Sequence, residues 1–312
     1  MSSGGPDRVL LLVGGGGGLV GRALIEELGK DHSIRSVHRS PSKFEHAQGI
    51  EFVPVDLEAP VEWPALLEGV ETIVNVAWYR SARPDRFRAL GQGLLALIEA
   101  AERQSSIRRF VHLSVPAAPE ALERRLPYLV WKRAVDARLE GSKVPYAILR
   151  PSALFARGDV LLGVLLRTAH RYGVLPMFGE GTAHLSPLST ADLARIVRLR
   201  LEGGASSTSD LGGPERFTYR ELAELIFRVL GRRPRYWRLS PPGARRLARF
   251  LEAVGSTLLY EYEVEWLLSD RLGLPPAELP GRALESVEPY LAIEALRWRT
   301  GHPTPSSPEN HG

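Results

Sequence analysis

The run Val13-Gly14-Gly15-Gly16-Gly17-Gly18-Leu19-Val20-Gly21 decides how the rest of this chain is read. Before it stands Arg8-Val9-Leu10-Leu11-Leu12, the unbroken apolar stretch of a strand buried on both faces. After it, Leu19, Val20, Ala23, Leu24, Ile25 and Leu28 recur at helical spacing. The glycines therefore mark a strand turning into a helix, which separates the pattern from a merely flexible loop. Gly15, Gly18 and Gly21 lie three apart: the first allows a tight turn, the second lets a pyrophosphate approach the backbone, and the third brings helix against sheet. Leu19, Val20 and Gly21 open a helix whose free N–H groups and positive dipole end favour phosphate.

Composition is that of a globular chain whose 312 residues suffice for two joined lobes with a sizeable core. The absence of cysteine excludes a disulfide framework, a thiol nucleophile and a Cys-zinc site, and is compatible with a reducing cytosol. The eight histidines lack metal-ligand spacing, and no G-x-S-x-G occurs for hydrolysis. The amino terminus has no apolar signal segment and no apolar run nears the ~18 residues of a membrane helix, so the expected location is cytoplasmic. Among 40 basic residues only Lys30, Lys43, Lys132 and Lys143 are lysines. The arginines are spread along a chain of net charge +4, which fits a solvated surface and no nucleic-acid partner.

Strand and helix patterns alternate onward. A strand over residues 34–38 ends in Arg39-Ser40-Pro41-Ser42-Lys43, and no acid occurs from Ile34 to Phe44 to hold a ribose 2′-OH. Arg39, Ser40 and Lys43 suit a 2′-phosphate, so NADP(H) is expected over NAD(H). A strand over 51–55 runs into Asp56 and Leu57, where the carboxylate is a candidate acceptor for the adenine amino group or a turn residue. Residues 63–68 read as a short helix, 72–77 as a strand with Val76 and small Ala77 at its tip, and 84–103 as a long crossover helix. Trp78 and Tyr79 are candidate cleft walls. A fifth strand covers 109–114.

Residues 126–140 read as a helix carrying Tyr128 and Lys132 four apart, hence on one face, followed by a strand over 146–150. A phenol titrating near ~10 is a poor proton donor at neutral pH, and an ammonium one turn away favours its ionised form. The same lysine can donate to cofactor ribose hydroxyls. Nine tyrosines and four lysines in 312 residues would give such a pair about 0.1 times by chance, which sets this one apart.

In these motifs the sequence resembles the extended or atypical short-chain dehydrogenases/reductases. The glycine fingerprint, the basic strand end, Asp56-Leu57, Ala77 and Tyr128/Lys132 match in order, over about residues 8–230. The resemblance implies a Rossmann α/β fold: a doubly wound parallel sheet and a smaller, mostly helical carboxy-terminal substrate lobe. It also implies cofactor contacts at Val76, Ala77, Trp78, Pro151 and Ser152. Active members carry a catalytic Ser or Thr after the fifth strand, commonly one place beyond a first serine. Here Val115 follows Ser114, a departure from that pattern: Ser114 is either the candidate polariser or the first serine, a strand-end hydroxyl that satisfies backbone, in which case the polarising hydroxyl is missing and reduction slow or absent. Element order is also similar to the dehydrogenase-like accessory subunit of respiratory complex I and to its bacterial relatives.

The expected nucleotide domain covers residues 1–157, with 183–202 packing back on it. The second lobe takes 158–182 and 203–302, and 303–312 form a disordered tail. Helices are expected at 160–172, 192–201 (Thr190 as N-cap) and from 219 with Thr218 and Glu221 as a capping box; 262–290 reads as helical and 205–209 as a polar loop. The arginine-studded helix at 245–254 reads as a solvated face, with a protein complex or peripheral membrane association as the alternative. Three functions follow. The first is an oxidoreductase moving hydride between NADP(H) and a small carbonyl, hydroxyl or enoyl substrate, with Tyr128, Lys132 and Ser114 as machinery. The second is a non-catalytic dinucleotide-binding accessory subunit or redox sensor. The third is an NAD-dependent sugar epimerase or dehydratase, against which the missing acid counts.

Overall fold

The structure, a computed structural model, describes residues 9–15, 18–40, 49–78, 80–159, 161–256 and 258–300. The chain divides into two compact units. One takes Met1–Val115, Pro119–Arg150 and Leu193–Ser209, the other Pro116–Ala118, Pro151–Asp192 and Asp210–Gly312.

The first unit alternates strand and helix: β1 (Val9–Val13), α1 (Leu19–Leu28), β2 (Ser33–His38), β3 (Ile50–Pro54), α2 (Trp63–Leu66), β4 (Val70–Asn75), α3 (Pro84–Arg103), β5 (Arg109–Leu113), α4 (Glu120–Arg125), α5 (Pro127–Glu140) and β6 (Tyr146–Pro151). Strands β6, β5, β4, β1, β2 and β3 neighbour one another in that order and every pair is parallel. Chain order reverses beside β1, between β2 on one side and β4 on the other, so the carboxyl ends of β1 and β4 flank a topological switch point. Leu11, Val13, Ile73, Phe110 and Ile148 of the sheet are buried with Leu94 and Leu97 of α3 and Val135 and Leu139 of α5.

Beyond β6 the chain forms β7 (Leu154–Phe155), α6 (Leu162–Tyr172), β8 (Leu175–Phe178), β9 (His184–Leu185), β10 (Leu188–Ser189), α7 (Thr190–Glu202), β11 (Ser207–Leu211), β12 (Phe217–Thr218), α8 (Tyr219–Val229), β13 (Tyr236–Leu239), α9 (Pro241–Ala253), α10 (Glu261–Leu268) and α11 (Val287–Arg299). The second unit has its own core, with Leu162, Leu166, Met177, Tyr219, Leu222, Phe227, Val264 and Leu291 buried together.

Six expectations shift. The boundary falls at Arg150/Pro151 rather than 157 and the return begins at Leu193 rather than 183. The short pairs β7–β10 and β9–β12 hold the intervening residues in the second unit. The polar segment at 205–209 contains most of β11, the sheet's edge strand beside β6, and its alternately exposed Ser-Thr-Ser-Asp tolerates that position. Strand β4 stops at Asn75, because Asn75 turns its amide onto the backbone of Ala77. Helix α7 starts at Thr190, and its cap is Ser189, whose hydroxyl accepts from the Asp192 N–H at 3.0 Å. The stretch 262–290 is not one helical region, since residues 269–286 separate α10 from α11. The capping box at α8 is present: Thr218 Oγ1 accepts from the Glu221 N–H and the Glu221 carboxylate accepts from the Thr218 N–H. The expected tail lies outside the described residues.

Asp159 is 3% exposed and caps the start of α6, its Oδ1 accepting from the N–H groups of Leu161 (2.9 Å) and Gly163 (3.1 Å). The Tyr290 hydroxyl of α11 donates to its Oδ2 at 2.6 Å. One buried carboxylate thus ties α11 to the beginning of α6. Asp159→Ala is expected to lower stability by about 2 kcal/mol and Tyr290→Phe by about 1 kcal/mol in denaturant titrations. An unchanged midpoint for Asp159→Ala contradicts this role.

Candidate dinucleotide and catalytic site

Gly14 holds φ +77°, donates its N–H to Val37 O (2.9 Å), and a Cβ there would come within 2.3 Å of the Ala77 backbone. A Cβ on Gly21 would meet the carbonyl carbon of Gly15 at 2.5 Å, so α1 leans on the loop through a bare backbone. A Cβ on Gly18 would meet nothing within 4 Å. Gly18 is the N-cap of α1, offers no side-chain cap, and no acid sits in the first turn. By helix geometry the amides of Leu19, Val20 and Gly21 have no intrahelical acceptor. The tight turn thus falls on Gly14 rather than on Gly15, while Gly18 leaves an open approach and Gly21 a close helix contact, and the residues present fit a dinucleotide pyrophosphate.

At the end of β2, Arg39 is half-exposed and lies 3.8 Å from Glu58, whose carboxylate takes a bidentate bond from Arg86. Ser40 is exposed beside it, and Lys43 lies outside the described residues, as does Tyr79. Asp56 is exposed, and its Oδ1 accepts from the Glu58 N–H at 3.0 Å, the turn alternative for this residue. Leu57 is a core side chain, 8% exposed.

Past β4, Val76 donates its N–H to Val13 O at 2.9 Å, and Ala77 is buried against the glycine turn. The Trp78 indole meets Tyr128 edge-on (5.7 Å between centroids) and stacks on Phe87 (5.9 Å). The Lys132 ammonium stands 4.2 Å from the indole centroid. Lys132 is 3% exposed and donates to Leu113 O at 2.8 Å. Trp78 therefore touches both members of the Tyr-x-x-x-Lys pair, one by its edge and the other by its face. Burial pulls the Lys132 amine down to about 7 against the opposing pull of Asp136.

Behind this pair lies a buried polar network that the motifs did not reveal. Ala77 N–H can only donate, so the Asn75 oxygen that accepts from it (3.0 Å) fixes the amide and turns its NH₂ to His112 Nδ1 (2.9 Å). His112 is then neutral with its proton on Nε2, 3.5 Å from Asp136 Oδ1. Burial holds this imidazole down to about 3. Asp136, 2% exposed, accepts at Oδ2 from Ser114 Oγ (2.8 Å), Arg133 Nη1 (2.7 Å) and Arg150 Nη2 (3.2 Å). The Ser114 proton is thereby committed to Asp136 rather than presented to a carbonyl. A polar Asn and His within strands of an apolar sheet were the available signal, and Asp136, one turn beyond Lys132, continues its face.

Pro151 ends β6. The Ser152 hydroxyl, in the second unit, donates to Leu272 O at 2.6 Å and accepts from the Ser186 N–H at 3.1 Å, so its hydrogen bonds are spent on packing. The same unit holds an open cavity of about 490 Å³ beside Phe155, Arg157 and Tyr290. The Tyr290 and Ser286 hydroxyls on its wall already donate to Asp159 and Glu215. Among the described residues no acidic, His or Cys cluster could hold a metal, and no helix is long and apolar enough to cross a membrane.

The unfolded chain keeps the Lys132 proton to its ordinary value of 10.5, whereas the folded chain loses it near 7. Between those values the unfolded state holds the extra proton, so this group makes stability rise with pH; the cost of the buried charge is fully present below about 7. With only four lysines, ¹³Cε-lysine NMR should show one resonance titrating near 7 that vanishes in Lys132→Met. Four resonances all titrating above 10 contradict the burial of this ammonium.

A family model described as NAD(P)H-binding matches residues 15–167. The chain is 31% identical over 157 residues to NADH dehydrogenase (ubiquinone) 1 alpha subcomplex subunit 9, mitochondrial, of Arabidopsis thaliana. That match spans 49% of this chain and 38% of the relative's length. It is 27% identical over 256 residues to the ceramide reductase of Caulobacter vibrioides, covering 80% of this chain and 79% of that protein. In fold it is similar to UDP-glucose 4-epimerase from Thermotoga maritima, with a TM-score of 0.69 and 18% identity over 94% of this chain and 99% of the other. The chain therefore carries an NAD(P)-binding domain of Rossmann type, and its fold is similar to that of a nucleotide-sugar epimerase.

Proposed function

We propose that this chain is an NADP(H)-dependent oxidoreductase acting on a small carbonyl, hydroxyl or enoyl substrate. The observation that carries the reading is the buried Lys132 ammonium on the Trp78 face, one helical turn from Tyr128 and next to the switch point. Gly14, Gly15, Gly18, Gly21 and the first amides of α1 would hold the pyrophosphate. Arg39 and Ser40 would meet a 2′-phosphate at the end of β2, which carries no acid of its own, with the adjacent Glu58 carboxylate held by Arg86. Bound NADP(H) would supply or accept a hydride at the substrate carbon. Tyr128 gives its phenolic proton to the substrate oxygen in reduction, and takes it back in oxidation. Lys132 in its charged form lowers the cost of leaving Tyr128 ionised. The buried Trp78 Nε1 has no hydrogen-bond acceptor among the described residues, a donor available to a bound ligand.

Ser114 favours a second reading. With its proton on Asp136, no hydroxyl of this residue polarises a substrate carbonyl, and the same fold would then bind dinucleotide without turnover. The likeness to a subunit of NADH dehydrogenase supports this alternative. An epimerase reading has only the fold likeness behind it.

Titration with NADPH and NADH, read by nicotinamide fluorescence, tests the assignment. NADPH is expected to bind at least tenfold tighter than NADH, with that preference lost in Arg39→Asp. Gly18→Ala should fold normally and bind neither well, since its methyl would occupy the open approach. Equal or tighter NADH binding overturns the cofactor preference. If NADPH binds but Tyr128→Phe leaves turnover of a carbonyl and enoyl panel unchanged, the catalytic role of Tyr128 is wrong.

A further inference from the structure

Positive charge is not spread evenly on this chain. Residues 231–258 hold seven arginines and one acid, a net +6, whereas the whole chain carries +4 and the other 284 residues therefore −2. Four of the nine large hydrophobic side chains exposed among the described residues fall in the same stretch: Trp237 (54%), Phe250 (63%), Val254 (60%) and Leu258 (59%). On α9, Pro242, Arg246 and Phe250, with the C-cap residue Val254, fall at four-residue intervals, so cation and apolar groups share one outward stripe.

The nearby acids cancel two of these arginine charges and leave the others. Glu265 takes a bidentate bond from Arg245, and Glu261 pairs with Arg249 at 2.8 Å. Glu263 accepts from the Tyr260 N–H and Glu252 from the Glu261 N–H. None of these four carboxylates belongs to an exposed residue, while Arg232, Arg233, Arg235, Arg238 and Arg246 all do. The exposed character of the segment is therefore cationic and apolar together.

We infer that α9 and the turn after it form a peripheral docking face for an anionic lipid surface, with Phe250 and Val254 entering the interface and Arg246 meeting the headgroups. Aromatic and aliphatic side chains interleaved with arginines on one helix stripe are the composition of an interfacial helix. Phe250, Val254 and Leu258 together expose on the order of 300 Å², well under the roughly 800 Å² per partner of a standard protein interface. That area fits shallow, reversible insertion assisted by charge better than a stable dimer.

The face is independent of the nucleotide site, and its test separates the two. Full-length protein is sedimented with phosphatidylglycerol/phosphatidylcholine vesicles and with phosphatidylcholine alone, at low salt and at 0.5 M salt (about a 4–5 Å screening length). Expected is binding to the anionic vesicles only, weakened at least tenfold by high salt, by Arg246→Glu and by Phe250→Ser/Val254→Ser. Arg39→Asp should sediment like the wild type. All these positions are exposed, so thermal melts of the variants should match the wild type. Absence of binding to anionic vesicles overturns the inference, as does binding that the variants leave unchanged. Equal retention on polyglutamate with no effect of the apolar pair assigns the face to an acidic protein instead, and a concentration-dependent dimer abolished by Phe250→Ser assigns it to a second copy.

Discussion

A single buried carboxylate organises the surroundings of the helix that carries Tyr128 and Lys132. Asp136 has almost no access to water, and a charge so placed persists only when surrounded by donors. Ser114 comes from the residue after β5, Arg150 from β6, and Arg133 from the preceding turn of α5 itself. Through its Oδ2 alone, Asp136 therefore locks the helix that carries Tyr128 and Lys132 against two strand ends. Arg133 spreads the lock further, donating to Val115 O and to Glu123 as well. Removing the carboxylate would take away the acceptor that Ser114, Arg133 and Arg150 share and leave the two arginines to their outer carboxylates Glu123 and Glu140, so the helix would lose its seat.

The same network explains why Lys132 is an unusual lysine. Among the described residues no carboxylate lies in its hydrogen-bonding range; it meets a backbone carbonyl and the face of an indole. Asp136 has its Oδ2 taken up by arginines and a serine, and supports the ammonium only through space. A partner that ion-paired fully with Lys132 would fix its charge; a carbonyl and a π face leave it sensitive to whatever enters beside it.

What the sequence made legible was local. The strand–glycine–helix unit, the strands of the sheet, the long α3 and the Tyr128/Lys132 helix all follow from periodicity and spacing within about thirty residues. What it hid was non-local. Ser114 looked available because nothing in its neighbourhood announces a carboxylate 22 residues later. The Ser152 hydroxyl gave no sign that its acceptor is the carbonyl of Leu272, 120 residues away. Residues 205–209 looked like a loop because an edge strand needs no apolar alternation, and Thr190 looked like a cap because Ser189 beside it is equally suited. In each case the local residues allowed two uses and only the folded chain chose between them.

The first compact unit is made of three separate pieces of chain, and the last of them, Leu193–Ser209, brings most of α7 and the start of β11. Between Arg150 and Leu193 the chain belongs to the other unit. A protein cut after residue 150, although it would contain every glycine of the fingerprint and both Tyr128 and Lys132, would leave the hydrogen-bonding edge of β6 bare and the guanidinium of Arg109 without its acceptors, the carbonyls of Arg200 and Ala205. The emerging polypeptide faces the same situation on the ribosome. The nucleotide-binding half cannot close its sheet until roughly sixty further residues have been made, so completion of the amino-terminal unit waits on synthesis of part of the carboxy-terminal one.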